Sequence, residues 1–214
     1  MSLLDQIKDN GVVAIIRGGG EASEILAIAE ALRDGGVKTL EITVETPGVL
    51  SLIEKVNKEF GNDLIVGAGT VLDPETARAA IMSGAKFIFS PTVDADTIRL
   101  TKRYGVISIP GALTPTEILT AYESGADVIK VFPANVFGPR YLKDVHGPLP
   151  QVPLMPTGGI DLSNAGEFIK AGGVAVGLGS SLVNTKKTMN DEALLDLKTK
   201  ASQFVEEVKK AREN

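Results

Sequence analysis

Four times along the chain a helix-like stretch ends in Gly-Gly or Gly-Ala and an apolar, β-branched run follows at once: Gly35-Gly36, Gly84-Ala85, Gly125-Ala126 and Gly172-Gly173. Glycine at a helix end supplies the left-handed residue that turns the chain out of the helix. Between these markers the same alternation continues. Strands are predicted at 12–17, 37–43, 64–68, 86–89, 106–109, 127–132, 152–155 and 174–178, each a short apolar run bounded by turn residues. Helices are predicted at 3–10, 21–34, 47–60, 74–83, 94–104, 114–124, 139–144, 163–171 and 191–212. Apolar spacing such as Ile25, Leu26, Ile28, Ala29 and Leu32 carries these assignments. Pro47 is placed at an early helical position, and Thr114-Pro115-Thr116-Glu117 reads as a capping box with proline first. Eight βα units in 214 residues, with no linker, imply one α/β domain spanning 1–214. Its expected fold is a (β/α)8 TIM barrel with an additional short N-terminal helix. A doubly wound open sheet is the alternative, and the even spacing of the strands favours closure.

Composition removes several classes of function. Apolar residues make up 43% of the chain, enough for a sizeable core, yet no run approaches the 18 apolar residues of a membrane span. The net charge of −5 is spread over both signs without a basic block, which gives nucleic-acid binding little support. The first residues lack a basic and then apolar leader, so a cytoplasmic protein is expected. Cysteine is absent and His146 is the single histidine, so no cofactor and no metal site of the zinc or iron type is expected. A magnesium site of carboxylates and phosphate stays open. His146 is expected in the loop beyond the 139–144 helix, with a structural or surface role.

One strand breaks the apolar rule. In Val128-Ile129-Lys130-Val131-Phe132 a lysine stands among buried-type residues, followed by Pro133. Burial strips hydration from an ammonium and lowers its pKa from about 10.4. A neutral amine can attack a ketone and form a Schiff base. The alternative is a lysine whose stem packs while its head reaches water or a carboxylate.

A barrel of this kind carries its active site at the carboxyl ends of its strands. The polar residues there are Arg17, Glu41, Thr43, Glu45, Thr70, Ser90, Lys130, Thr157 and Ser180. Glu41, Thr43 and Glu45 share one parity, so in an extended segment they face one side. An inward Glu41 beside Lys130 suits aldol chemistry: the amine is the electron sink and the carboxylate shuttles protons. A structural Glu–Lys or Glu–Arg ion pair is the competing reading. Thr157-Gly158-Gly159 and Gly179-Ser180-Ser181 end neighbouring strands, and glycine-rich turns there suit a phosphate or simply turn the chain. Thr70 can donate to a carboxylate or ketone oxygen. Arg17 either forks onto a substrate anion or neutralises Glu41 or Glu45.

Taken in order, Val13-Ala14-Ile15-Ile16-Arg17, Glu41-Ile42-Thr43, Gly67-Ala68-Gly69-Thr70-Val71, Phe89-Ser90-Pro91, Ile109-Pro110-Gly111, Ile129-Lys130-Val131-Phe132-Pro133-Ala134, Gly147-Pro148 and Pro156-Thr157-Gly158-Gly159-Ile160 form a family pattern. The chain resembles the 2-keto-3-deoxy-6-phosphogluconate aldolases, also described as 4-hydroxy-2-oxoglutarate aldolases, across roughly residues 12–183. The resemblance implies a metal-independent class I aldolase that is usually a homotrimer and acts on a small keto acid. Such an enzyme cleaves 2-keto-3-deoxy-6-phosphogluconate to pyruvate and glyceraldehyde 3-phosphate, or 4-hydroxy-2-oxoglutarate to pyruvate and glyoxylate. It implies Lys130 as the Schiff-base lysine and Glu41 as the general acid/base. Thr70, with Pro91 and Phe132 nearby, would hold the pyruvyl part, and Gly158, Gly159 and Ser180 the distal phosphate. Many members read Glu-Val-Thr-Leu-Arg-Thr at the second strand. Here Glu45 replaces that arginine, and Arg17 is expected to take over the anion contact, as in members with an arginine after the first strand. Rival readings are a phosphosugar isomerase or epimerase on the same barrel, using carboxylates and no imine, and a non-catalytic relative. Adduct formation on Lys130 would separate them.

Overall fold

A computed structural model describes residues 1–185 and 189–213. Among them the strands are β1 (Val12–Ile16), β2 (Thr39–Thr43), β3 (Ile65–Gly69), β4 (Phe87–Phe89), β5 (Ile107–Ile109), β6 (Gly111–Ala112), β7 (Ile129–Val131), β8 (Leu154–Pro156) and β9 (Val176–Leu178). The helices are α1 (Leu3–Asn10), α2 (Ala22–Asp34), α3 (Val49–Phe60), α4 (Pro74–Met82), α5 (Ala95–Arg103), α6 (Pro115–Glu123), α7 (Pro139–His146), α8 (Ala165–Lys170) and α9 (Asp191–Glu213). All strand pairs are parallel. One sheet runs β5-β4-β3-β2-β1-β9 and the other β6-β7-β8. Isolated bridges Leu154↔Gly173 and Thr157↔Gly177 tie β8 to the β9 segment. Among the described residues no helix is long and apolar enough to cross a membrane.

Three expectations change. The sequence predicts eight strands, and nine are found among the described residues. Pro110 separates β5 from β6, and a proline cannot donate to a ladder. Pro47 lies before α3 rather than in its first turn, because Gly48, in the left-handed region at φ 70°, is the N-cap. His146 closes α7 instead of following it, and one ring nitrogen sits 3.0 Å from the Val152 carbonyl. The glycine markers do what was expected of them. Gly36, Gly84, Gly125 and Gly172 have φ between 88° and 106°, where a side chain is disfavoured. Thr114 and Glu117 form the predicted capping box.

Strand parity sorts the core into two layers. Leu40, Ile42, Val66, Ile129 and Leu178 pack outward against Ile25, Leu32, Phe168 and Phe204 of the helices. Val13, Ile15, Ile65, Phe87, Phe89, Val128 and Met155 face inward, and Ile7 of α1 joins them from below. Each fully buried chain of this size stabilises the fold by about 1.5–3 kcal/mol. Small residues make room inside. A side chain at Gly67 would lie 2.5 Å from the Phe87 ring, and one at Gly177 would lie 2.3 Å from Thr157 Oγ1.

Candidate active site

Lys130 occupies the middle of β7. Its neighbours Ile129 and Val131 belong to the outer layer, so alternation turns Lys130 inward. It is 3% exposed. Its Nζ sits 4.3 Å from the ring centre of Phe89 and 4.6 Å from that of Phe132. Among the described residues no carboxylate forms an ion pair with it. A charged amine over two rings gains about 0.5–2 kcal/mol, less than the several kcal/mol that burying an ammonium costs. Burial therefore pushes the amine below its usual range. The Glu41 charge opposes this, and Arg17 pushes it further down. The shift is toward the neutral, nucleophilic form of the amine.

Glu41, central in β2, is fully buried. Among the described residues neither carboxyl oxygen has a hydrogen-bond partner. The carboxyl leans over β3, and a Cβ at Gly69 would fall 1.6 Å from Oε1. Only glycine leaves that space. Burial raises Glu41 to about 7; Lys130 and Arg17 pull it down and Glu45 pushes it up. A carboxyl poised there can both give and take a proton near neutral pH.

At the mouth, Arg17 donates from Nη1 to Glu45 and from Nη2 to Thr70 Oγ1 at 3.2 Å. Of the partners open to Arg17 from the sequence, Glu45 is the one it takes. The pair is about half exposed, at 56% and 46%, so Glu45 points to the rim and not into the cavity. Thr70 has φ 56°, a left-handed conformation costly for a threonine. Thr185 Oγ1 donates to the Arg17 carbonyl at 2.7 Å.

Across the mouth, Gly158 and Gly159 have φ 92° and 70°. A side chain on Gly158 would stand 3.3 Å from the Phe132 ring, and one on Gly159 would meet Asn135 at 2.4 Å. The bridge Thr157↔Gly177 sets the two glycine-rich turns on neighbouring strands. Ser180 is exposed and lines a cavity of about 560 Å³ with Asn190, Glu192 and Lys200. Pro91, after β4, lies with its carbonyl against Gly111 of β6. The structure thus brings Lys130 to Phe132, Phe132 to Gly158, and Arg17 to Thr70. Pro91 follows β4 and Ser180 follows β9, so the two stand at the ends of strands that are far apart in the sheet order. Sequence reasoning missed Phe89, whose inward parity with Phe87 could have signalled it. It noted Thr43 without assigning it a role. Thr43 and Thr157 are buried on the inner face, and among the described residues their hydroxyls have no protein partner.

Comparison with known proteins gives the chain's relatives. The pattern of the KDPG and KHG aldolase family matches residues 3–196. The 2-dehydro-3-deoxy-6-phosphogalactonate aldolase of Escherichia coli K12 is 34% identical over 183 residues, 85% of this chain and 89% of that protein. The 2-dehydro-3-deoxy-phosphogluconate aldolase of Pseudomonas aeruginosa is 39% identical over 148 residues, 69% of this chain and 67% of that one. A native KDPGal structure superposes with a TM-score of 0.87 at 32% identity, covering 95% of this chain and 96% of the other. KDPG aldolase from Legionella pneumophila, solved with pyruvate captured at low pH as a covalent carbinolamine, gives 0.79 at 28% identity over 97% of each chain.

Proposed function

The chain belongs to the KDPG and KHG aldolase family, and on that premise we propose that Lys130 is the amine that binds substrate covalently and Glu41 the group that moves its protons. The chain is a class I aldolase. Its substrate is a 2-keto-3-deoxy-6-phosphosugar acid, cleaved to pyruvate and glyceraldehyde 3-phosphate. The observation that carries the assignment is a buried amine, stacked on two rings and with no ion pair among the described residues, on the same inner face as a buried carboxyl that has no hydrogen-bond partner there.

Neutral Lys130 Nζ attacks the C2 ketone and gives a carbinolamine. Glu41 protonates the departing hydroxyl, and water leaves as the iminium forms. The resulting carboxylate takes the proton of the C4 hydroxyl. The C3–C4 bond then breaks, its electron pair flows into the iminium to give an enamine, and the aldehyde departs. Protonation at C3 and addition of water release pyruvate and restore the amine. Arg17 and Thr70 receive the C1 carboxylate. Phe132 and Pro91 flank the pyruvyl carbons, and the turns at Gly158, Gly159 and Ser180 receive the phosphate.

We read the two sheets as arcs of one (β/α)8 barrel, interrupted at Pro110 and joined at the bridges between β8 and β9. Support comes from the inner hydrophobic cluster, which draws residues from both arcs. A homotrimer is the expected assembly. Exposed Val136 and Phe137, just beyond β7, supply apolar surface for a partner, and sedimentation equilibrium tests it.

Borohydride reduction with pyruvate tests the chemistry. The expected result is a pyruvyl adduct on the peptide holding Lys130 and loss of activity. No adduct there, with activity intact, would reject the covalent role.

A further inference from the structure

Thr43 stands on the same face of β2 as Glu41, one pleat nearer the mouth, about 7 Å along the strand. Its register partner across the ladder is Gly69, the residue over which the Glu41 carboxyl leans. The carboxyl therefore rises from its own level, opposite Gly67, to the level of Thr43. Thr43 is fully buried, and among the described residues its hydroxyl bonds no protein group. A buried hydroxyl without a partner weakens a fold, and valine has the same shape and suits a strand at least as well. Packing alone gives no reason for a threonine here; Leu40 and Ile42, on the other face, are what the strand uses for packing.

Resting on the reading that Glu41 moves protons, we propose that Thr43 is a positioning residue whose hydroxyl donates a hydrogen bond, through one bridging water, to the ionised Glu41 carboxylate and so steadies its base form. The other charged groups acting on Glu41 are Lys130 from β7, Arg17 at the end of β1 and Glu45 beyond β2. All three remain when Thr43 is changed, so a shift in the profile comes from the hydroxyl. A donated bond favours the ionised carboxyl. Its loss moves the acidic limb of the rate profile upward, on the order of one pH unit.

The experiment compares Thr43→Val and Thr43→Ser with the parent in pH–rate profiles, KM and melting temperature. Thr43→Val should melt no lower than the parent, keep KM within about twofold and lose roughly tenfold in kcat near neutrality, with its acidic limb raised. Thr43→Ser should keep the parent limb. An unshifted limb in Thr43→Val overturns the proposal. So does equal loss in both variants with a lowered melting temperature, which marks a packing role. Thr43→Ala supplies a second hydroxyl-free chain should the valine variant not fold. Borohydride labelling of the parent by pyruvate separates the two levels. A labelled parent with an unshifted valine profile rejects Thr43 alone, and an unlabelled parent rejects the reading beneath it.

Discussion

The carboxyl of Glu41 fills the space that a side chain on Gly69 would need, with Oε1 only 1.6 Å from where that Cβ would stand. The height of the Glu41 carboxyl, the proposed proton-transfer group, is thus set by the neighbouring strand β3.

Gly69→Ala tests this dependence. The backbone at Gly69 is not in the left-handed region, so alanine costs no φ strain, and its methyl group must displace the carboxyl. A misplacement near 1 Å costs about 10²-fold in rate. Steady-state kcat should fall by that order, while circular dichroism shows a folded protein and pyruvate still labels Lys130 under borohydride.

Lys130→Met removes the amine and leaves a chain of similar length between Phe89 and Phe132. Turnover should drop at least about 10⁴-fold, the scale seen when a nucleophile is deleted. The melting temperature should rise by a few degrees, since a buried polar head is replaced by an apolar one. Calorimetry checks the second outcome independently of the first.

The pH dependence of stability follows from Glu41, whose pKa rises from 4.5 to about 7 on folding. Between these values the folded chain binds more protons than the unfolded one. Stability from this group is fully present below 4.5 and is lost as pH climbs through 7. The loss is on the order of 3 kcal/mol at most. Glu41→Gln should flatten the melting-temperature profile between pH 4.5 and 7 and be the more stable protein at pH 8. Lys130 acts in the other window. Its lowered value means that stability increases as pH rises between the folded value and 10.5.

The Arg17–Glu45 pair is half exposed, and such pairs contribute about 0–1 kcal/mol. Arg17→Gln should leave the melting temperature nearly unchanged yet raise KM for the keto acid roughly tenfold, through loss of a forked carboxylate contact. Initial rates at increasing salt check the assignment, since the parent KM should rise with ionic strength and that of the variant should not.

Parity made much of the site readable in advance. A lysine between Ile129 and Val131, and a glutamate between Leu40 and Ile42, can only face away from the helix layer. The features that escaped depend on contacts between distant segments. Phe89 meets Lys130 because β4 and β7 face one interior, and no local pattern encodes that meeting. The sequence left Arg17 a choice between a substrate anion, Glu41 and Glu45, and Glu45 wins because the turns after β1 and β2 end side by side. The division at Pro110 and the extension of α7 to His146 are boundary effects, where one missing donor or one helical turn decides the outcome.

Ile7, with Leu4 beside it, stoppers the floor of the inner layer from α1. If the two arcs close as proposed, that plug leaves the carboxyl ends of the strands as the way in. In the proposed covalent mechanism the aldehyde half departs while pyruvate is still joined to Lys130, so pyruvate follows it. Product inhibition should therefore show pyruvate as the last to go, and in the reverse direction as the first to enter.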